Sequence, residues 1–169
     1  NGTYAVALLL PTTLATFLNL GVASANVYYL GSSQINVRHL LRTNFLIFLL
    51  LGTTGLGIGA IILLWKGKHL FPGVSPSLLW LALAGFPVVL IQGFLISFFQ
   101  GLQKFRSYNL VLIAQPLVLL ALVGVLVIFR VREIIFLLIA YLISQLFILI
   151  SAIKRIRSLL GSEVEGEKQ

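Results

Sequence analysis

Few side chains in this 169-residue sequence are suited to acid–base, nucleophilic or metal chemistry. Its four acidic residues are Glu133, Glu163, Glu165 and Glu167. No carboxylate pair is therefore available within the apolar part of the chain for general acid–base catalysis. Cysteine is absent, which excludes disulfides and thiolate metal sites. His39 and His69 lie far apart, with no acidic residue beside either. The sequence thus predicts no metal site, no cofactor and no enzymatic activity.

The more informative polar residues are amides inside long uncharged runs. An unpaired amide is costly in hydrocarbon, so such side chains should face a bundle interior or a watery cavity. Asn19 and Asn26 are seven apart and would share one face of a continuous helix, where helix packing is the preferred interpretation over a substrate contact. For the glutamines, interhelical bonding and a polar cavity both remain open. The candidates for a substrate path are Asn19, Asn26, Gln92, Gln100, Gln115 and Gln145.

Two prolines lie close to these amides. Pro87 precedes Gln92 in one apolar run, and Pro116 directly follows Gln115 in the next. Proline removes a backbone hydrogen bond and kinks a helix. The sequence therefore predicts bends at Pro87 and Pro116, which would serve as hinges around a cavity.

A separate pattern is formed by the glycines at 52, 55, 57 and 59. It includes a Gly-x-x-x-Gly spacing, which predicts close packing of this helix against another.

The amides, prolines and glycines described above all lie within five long apolar runs, which are candidates for membrane-spanning helices. They cover residues 4–30, 44–65, 78–102, 109–129 and 133–153, and each is near or above the roughly 20 residues that a membrane-spanning helix needs. The composition agrees, because 59% of residues are hydrophobic and only 9% are charged. The runs lack the two-residue alternation of barrel strands. The sequence predicts an all-α, polytopic transmembrane bundle over residues 1–157 with about five spanning helices, followed by a polar acidic tail at 158–169.

The chain has a net charge of +8. Most of its basic residues lie in the short segments between the runs or directly after the last run. Lipid phosphates, rather than nucleic acid, are the expected neighbours of these cations. If connections alternate between the two sides, one side carries Arg38, Arg42, Lys104, Arg106, Lys154, Arg155 and Arg157. The other side carries Lys66, Lys68, Arg130 and Arg132. The positive-inside rule places the seven-cation side in the cytoplasm. The N-terminal end of the chain is then outside, and the C-terminal tail is cytoplasmic.

Two segments resemble a known family of transporters. Residues 97–110 (SFFQGLQKFRSYNL), followed by Gln115 and Pro116, resemble the fourth-to-fifth helix junction of bacterial polysaccharide flippases in the multidrug/oligosaccharidyl-lipid/polysaccharide exporter superfamily. Residues 2–5 (GTYA), with 21–25 (GVASA) and the pair Tyr28 and Tyr29, are similar to the second helix of those proteins. The resemblance implies helices two to six of an N-terminal lobe that lacks its first helix. We therefore expect the chain to be a fragment of a longer transporter.

The resemblance also implies a function. Members of the superfamily work by alternating access, and the polysaccharide branch flips an isoprenoid-diphosphate-linked oligosaccharide across the cytoplasmic membrane of a prokaryote for polysaccharide export. Apart from Glu133 at the border of the fifth run, the spans contain no acidic residue of the kind found in drug and cation antiporters, and they contain no mid-span Arg or Lys of the kind found in peptidoglycan-precursor flippases. A neutral cavity lined by amides and hydroxyls suits a sugar better. The alternatives are a multidrug-type small-molecule exporter of the same superfamily and a non-transporting membrane scaffold subunit.

The expected partners are membrane lipids, the lipid-linked oligosaccharide and the remaining helices of the full-length transporter. The cytoplasmic cations Arg38, Arg42, Lys104 and Arg106 are candidates for binding the headgroup. In one interpretation they are ordinary anchors to lipid phosphates, an attraction of about 1 kcal/mol each. In the other, Arg106 with Arg38 or Arg42 recognises the diphosphate, because a guanidinium can make two parallel hydrogen bonds to phosphate oxygens.

Overall fold

The long apolar runs form helices in a computed structural model, which describes residues 2–19, 21–32, 36–131 and 133–166, with the backbone only for 159–166. Within these residues the helices are α1 (Thr3–Leu18), α2 (Val22–Gly31), α3 (Val37–Leu70), α4 (Pro76–Ala84), α5 (Phe86–Gly101), α6 (Phe105–Ile128) and α7 (Ile134–Gly166). The predicted all-α class is confirmed.

The helices are long and apolar enough for a multi-pass membrane protein. Among the described residues, four stretches could each cross a membrane: α3, α4 together with α5, α6, and α7 as far as Ser158. A fifth span results if α1 and α2 count as one, although their axes differ by 46°. The predicted number of about five is therefore confirmed. The prediction of one continuous helix over residues 4–30 is wrong, because this run is broken in the middle.

The break between α1 and α2 has a local cause. Gly21 has a φ of 76°, a left-handed conformation that glycine adopts with little strain. Asn19 ends α1 through its backbone N–H, which donates to the Ala15 carbonyl at 3.1 Å. Its side-chain Oδ1 then accepts a hydrogen bond from the backbone N–H of Ala23 at 3.2 Å, in the first turn of α2. Asn19 and Asn26 therefore lie on different helices, and the shared face predicted for them does not exist.

The two prolines differ in their local structure. Pro87 is the second residue of α5, and its nitrogen cannot donate to the carbonyl of Leu83, four residues earlier in α4. The interruption lies at Gly85, whose N–H donates to the Ala82 carbonyl at 3.0 Å, and α4 and α5 still form one 26-residue span. Pro116 lies inside α6, which runs without interruption from Phe105 to Ile128. The α4 and α5 span is thus interrupted at Gly85, two residues before Pro87, and α6 is continuous at Pro116, while the bends and the hinge role predicted for the two prolines stay predictions.

Successive spans run in opposite directions, and their ends pack in separate clusters. At one end, the last turns of α2 and α5 pack with the first turns of α3 and α6 and with the later part of α7. The cluster there consists of Leu30, Leu40, Phe98, Phe99, Val111, Ile148, Ala152 and Ile156. At the opposite end, α1, the end of α3 and the starts of α4 and α7 pack around Ala7, Leu10, Phe71, Leu78, Leu79, Ala82 and Leu138. The connections therefore alternate between the two ends.

Helix α3 is longer than the predicted span at 44–65. Its 34 residues extend about 50 Å at 1.5 Å per residue, well beyond a hydrocarbon core of about 30 Å. Arg38 and Arg42 therefore lie in its first turns and Lys66 and Lys68 in its last, rather than in connections. Helix α7 likewise continues through the predicted tail as far as Gly166.

The predicted glycine packing is confirmed at two positions on α3. A Cβ atom built on Gly55 would overlap the ring of Phe86, and one built on Gly59 would overlap the Leu83 side chain. These contacts bring α3 close to the α4 and α5 span. At Gly57, by contrast, nothing lies within 4 Å of such an atom. The Gly-x-x-x-Gly pair therefore marks the face of α3 that packs most closely.

Candidate substrate path and headgroup-binding end

A closed network of polar side chains joins three helices in the bundle interior. Asn26 on α2 and Asn44 on α3 exchange two hydrogen bonds, from each Nδ2 to the other Oδ1, at 3.1 and 2.8 Å. Asn26 Nδ2 also donates to Ser97 Oγ on α5 at 2.9 Å. The remaining donors of the network end on backbone carbonyls, those of Leu40 and Phe94, at 2.9 and 2.6 Å. We call Asn26, Asn44 and Ser97 the polar triad.

The polar triad is suited to holding three helices together rather than to binding a transported molecule. All three side chains are at most 5% exposed. Both amide oxygens and all four amide hydrogens have a partner, so Asn26 has no free donor left for a ligand. This geometry agrees with the packing interpretation preferred for Asn26. The sequence analysis did not select Asn44 or Ser97 as interior residues. The signal that could have identified them is that each is a polar residue in an apolar run, and such residues often form hydrogen bonds between helices.

Two glutamines on contacting helices do keep unused capacity. Gln92 on α5 and Gln145 on α7 are 4% and 3% exposed. Gln145 Nε2 donates to the phenol oxygen of Tyr141 at 2.7 Å. Among the described residues, Gln92 Nε2 and Gln145 Oε1 are the buried side-chain atoms without a partner. The bundle interior thus offers one unpaired donor and one unpaired acceptor.

These unpaired atoms have a chemical consequence. A buried hydrogen-bonding group without a partner costs about 1–3 kcal/mol, and such groups in native proteins are nearly always paired with protein or water. The Tyr141 phenol can donate as well as accept, so exchanging the oxygen and nitrogen of Gln145 would leave its nitrogen unpaired instead. In either orientation, Gln145 keeps one hydrogen-bonding atom without a partner.

The other predicted path residues lie elsewhere. Gln100 is exposed in the last turn of α5, close to the bundle end, although it is eight residues from buried Gln92. Gln115 is half-buried on α6, a helix whose only fully buried residue is Val111. Asn19 is half-buried and uses its side-chain oxygen at the start of α2. The structure therefore brings Gln92 and Gln145 into the interior and places the other three outside it.

The predicted headgroup-binding cations share one end of the bundle and point outward. Arg38, Arg42, Lys104 and Arg106 are all exposed. The same end, which we call the seven-cation end, includes exposed Lys154, Arg155 and Arg157 on α7. Lys66, Lys68 and Arg130 lie at the opposite end, and Arg132 lies outside the described residues. The two groups of cations that the sequence assigned to different sides therefore lie at opposite ends of the bundle.

A tight turn fixes Lys104 and Arg106 at that end. The backbone N–H of Lys104 donates to the Phe99 carbonyl at 2.8 Å, and that of Gln103 donates to the Gln100 carbonyl at 2.9 Å. Gln103 has a φ of 54°. This is the Schellman pattern that ends many helices, here without a glycine. Because α6 begins at Phe105, the two cations remain at the surface of the bundle end.

Two clefts lie near the bundle ends. One, of about 300 Å³, lies between α3 and α7 with α5 as its floor, and includes Phe45, Phe94, Phe98 and Arg157 in its lining. We call it the α3–α7 cleft. The other, of about 580 Å³, lies between the end of α3 and α4, and includes Trp65, Lys68, His69 and Trp80. Tryptophans and cations of this kind are enriched where proteins meet the membrane–water interface.

Comparisons of the chain with protein-family models, with curated proteins and with solved structures found no match. The resemblance to the exporter superfamily therefore stays a prediction.

Proposed function

We propose that this chain forms part of a membrane transporter that flips an isoprenoid-diphosphate-linked oligosaccharide across the cytoplasmic membrane of a prokaryote. The observation that supports this function most directly is the pair of buried amides, Gln92 and Gln145, that retain an unpaired donor and acceptor. A bundle that needed these amides for packing alone would pair them, as it does Asn26 and Asn44. Gln92 and Gln145 are the first contacts that we assign to the sugar.

The physical task of such a protein is to carry hydroxyl groups past hydrocarbon. Moving a hydroxyl from water into an apolar medium without a hydrogen bond costs several kcal/mol, so a sugar needs substitute partners along its path. Amide groups both donate and accept, which matches the mixed character of hydroxyls. The isoprenoid chain can stay in the bilayer while the sugar passes.

The distribution of charge fits the same cargo. All buried polar side chains among the described residues are neutral: Asn26, Asn44, Gln92, Ser97, Ser144 and Gln145. A neutral interior favours an uncharged sugar over a cationic drug, which would need a carboxylate partner. We assign the diphosphate to Arg106 with Arg38 or Arg42, which are exposed at the seven-cation end, so that the diphosphate need not enter the interior.

The test uses the full natural protein that contains this chain, reconstituted in vesicles with a lipid-linked oligosaccharide. Gln92→Leu and Gln145→Leu should each slow translocation about ten-fold, the equivalent of one lost hydrogen bond of about 1.4 kcal/mol. Gln100→Leu is the matched control, because its side chain is exposed near the bundle end, and it should leave the rate within about two-fold. The rate is measured as the appearance of sugar accessible to a membrane-impermeant lectin.

Two results would contradict the proposal. If Gln92→Leu and Gln145→Leu transport normally and resist thermal unfolding better than the wild type, the amides are imperfections of packing and not cargo contacts. If the wild-type protein translocates no lipid-linked sugar at all, the scaffold alternative gains the support that this function loses.

A further inference from the structure

The α3–α7 cleft is a mostly apolar opening between two helices that pack on a third. Helices α3 and α7 both pack on α5, which forms the floor of the cleft, while Phe45 on α3 and Ile153 on α7 belong to its walls. Its volume of about 300 Å³ is well above the roughly 10–15 Å³ that one water molecule requires in a cavity. A methylene group is of similar size to a water molecule. The cleft therefore has room for a segment of one chain.

The inner surface of this cleft offers hydrocarbon and aromatic rings rather than hydrogen-bonding groups. Its floor consists of Ile91, Phe94, Leu95 and Phe98, and because the two phenylalanines are at most 2% exposed, the accessible surface of the floor comes mainly from Ile91 and Leu95. Asn44 also contributes to the lining, but both donors and the oxygen of its amide already have partners. A sugar placed here would lose its hydrogen bonds to water without replacing them. An apolar chain, by contrast, loses nothing.

One end of the cleft carries a positive charge. Arg157 lies beside Ser158, the last residue of the apolar part of α7, and therefore at the level of the membrane interface. Helical side chains lean toward the N-terminus of their helix, so Arg157 extends back over Ile153, one turn earlier. Arg38 precedes Leu41 by three residues and Phe45 by seven, which places it on the cleft side of α3 at the same end.

We propose that the α3–α7 cleft is a binding site for an anionic phospholipid of the surrounding membrane. One acyl chain lies against α5 between α3 and α7, and the phosphate is bound by the Arg157 guanidinium, whose planar fork matches phosphate oxygens. The combination of an apolar groove with a cation at its interfacial end selects an amphiphile with a charged head. The site is independent of the proposed transport function, since a resident lipid can occupy it in a protein that transports nothing.

The experiment measures lipid retained by the purified full-length protein. The protein is equilibrated with vesicles of equal parts phosphatidylglycerol and phosphatidylcholine, extracted in mild detergent, and its bound lipid is quantified by mass spectrometry. The wild type should retain phosphatidylglycerol preferentially. Arg157→Gln should reduce that preference about five-fold, a factor equivalent to about 1 kcal/mol for one interfacial cation. Arg155→Gln is the matched control, because Arg155 is exposed on the same helix but does not line the cleft.

A second variant separates the cleft from the charge. Ile91→Phe fills part of the floor and leaves every cation in place, so it should reduce the amount of retained phosphatidylglycerol by at least about two-fold. Circular dichroism checks that each variant keeps its helix content. Equal losses for Arg157→Gln and Arg155→Gln, or full retention by Ile91→Phe, would mean that lipid is held by surface charge alone and would overturn the proposal. So would a wild type without preference for phosphatidylglycerol, the result expected if another protein segment covers the cleft.

Discussion

Each hydrogen-bonding atom of the Asn26 and Asn44 amides has a partner, so removing one amide leaves the other unsatisfied. We expect Asn44→Leu to lower the free energy of unfolding by about 1–3 kcal/mol, the range for a buried polar group that loses its partner. The Asn26→Leu and Asn44→Leu double variant should cost clearly less than the sum of the two single variants, because the pair is then removed together. Thermal or denaturant unfolding in detergent, followed by circular dichroism, measures these differences.

The matched control is Asn109→Leu, because Asn109 is exposed on α6. Its effect on the free energy of unfolding should stay within about 0.5 kcal/mol. Strict additivity of the Asn26 and Asn44 substitutions would show that the two amides do not act as a pair.

For individual residues, the sequence identified several amides of the bundle interior but did not show which of them would form hydrogen bonds with one another. Gln92 and Gln145 are buried as predicted, because an amide in an apolar run avoids lipid. Gln100 is exposed although Phe98, Phe99 and Gly101 beside it are buried, because eight residues at 3.6 per turn place it about 80° around the helix axis from Gln92. Asn44 could not be selected, since its partner Asn26 lies on another helix and only the tertiary structure brings them together.

Among the elements, the bend between α1 and α2 differs most from the prediction. Residues 4–30 form one uncharged apolar run, and hydropathy alone does not divide it. The available signal is Asn19 followed closely by Gly21, residue types that favour turns because asparagine bonds to the nearby backbone and glycine accepts a positive φ. Pro87 marked a second interruption, because a proline cannot donate to the carbonyl four residues earlier and the break at Gly85 lies just before it.

Helix α3 permits a test in which neighbouring glycines give effects of opposite sign. Gly55→Ala should lower the free energy of unfolding by about 1–3 kcal/mol, because its Cβ would meet the fully buried Phe86 ring. Gly57→Ala has free space around it and should raise the free energy of unfolding by up to about 1 kcal/mol through higher helix propensity. Thermal unfolding of the two variants under identical conditions provides the comparison. A stabilising Gly55→Ala would show that α3 and α5 can separate at no cost.

For the whole molecule, the sequence predicted the helix class, the approximate number of spans and the alternation of connections, because long uncharged runs separated by cations specify all three. It could not predict the α3–α7 cleft, which depends on how far apart two helices lie on a third. It also could not show that α3 extends well beyond its apolar part. The direction of the bundle in the membrane follows from charge alone and stays a prediction.

That direction can be measured with two cysteine reporters. Ser32 lies at the seven-cation end and Ser75 at the opposite end, and both are exposed. Serine to cysteine is a small change, the Ser75 side chain makes no cap hydrogen bond, and this chain contains no other cysteine. Since interfacial cations favour the cytoplasmic face, an impermeant thiol reagent added to intact cells should label Ser75→Cys and leave Ser32→Cys unmodified until the membrane is permeabilised. The reverse pattern would place the seven-cation end outside, and the diphosphate of a cytoplasmic lipid-linked sugar would then meet Lys66 and Lys68 rather than Arg38 and Arg106.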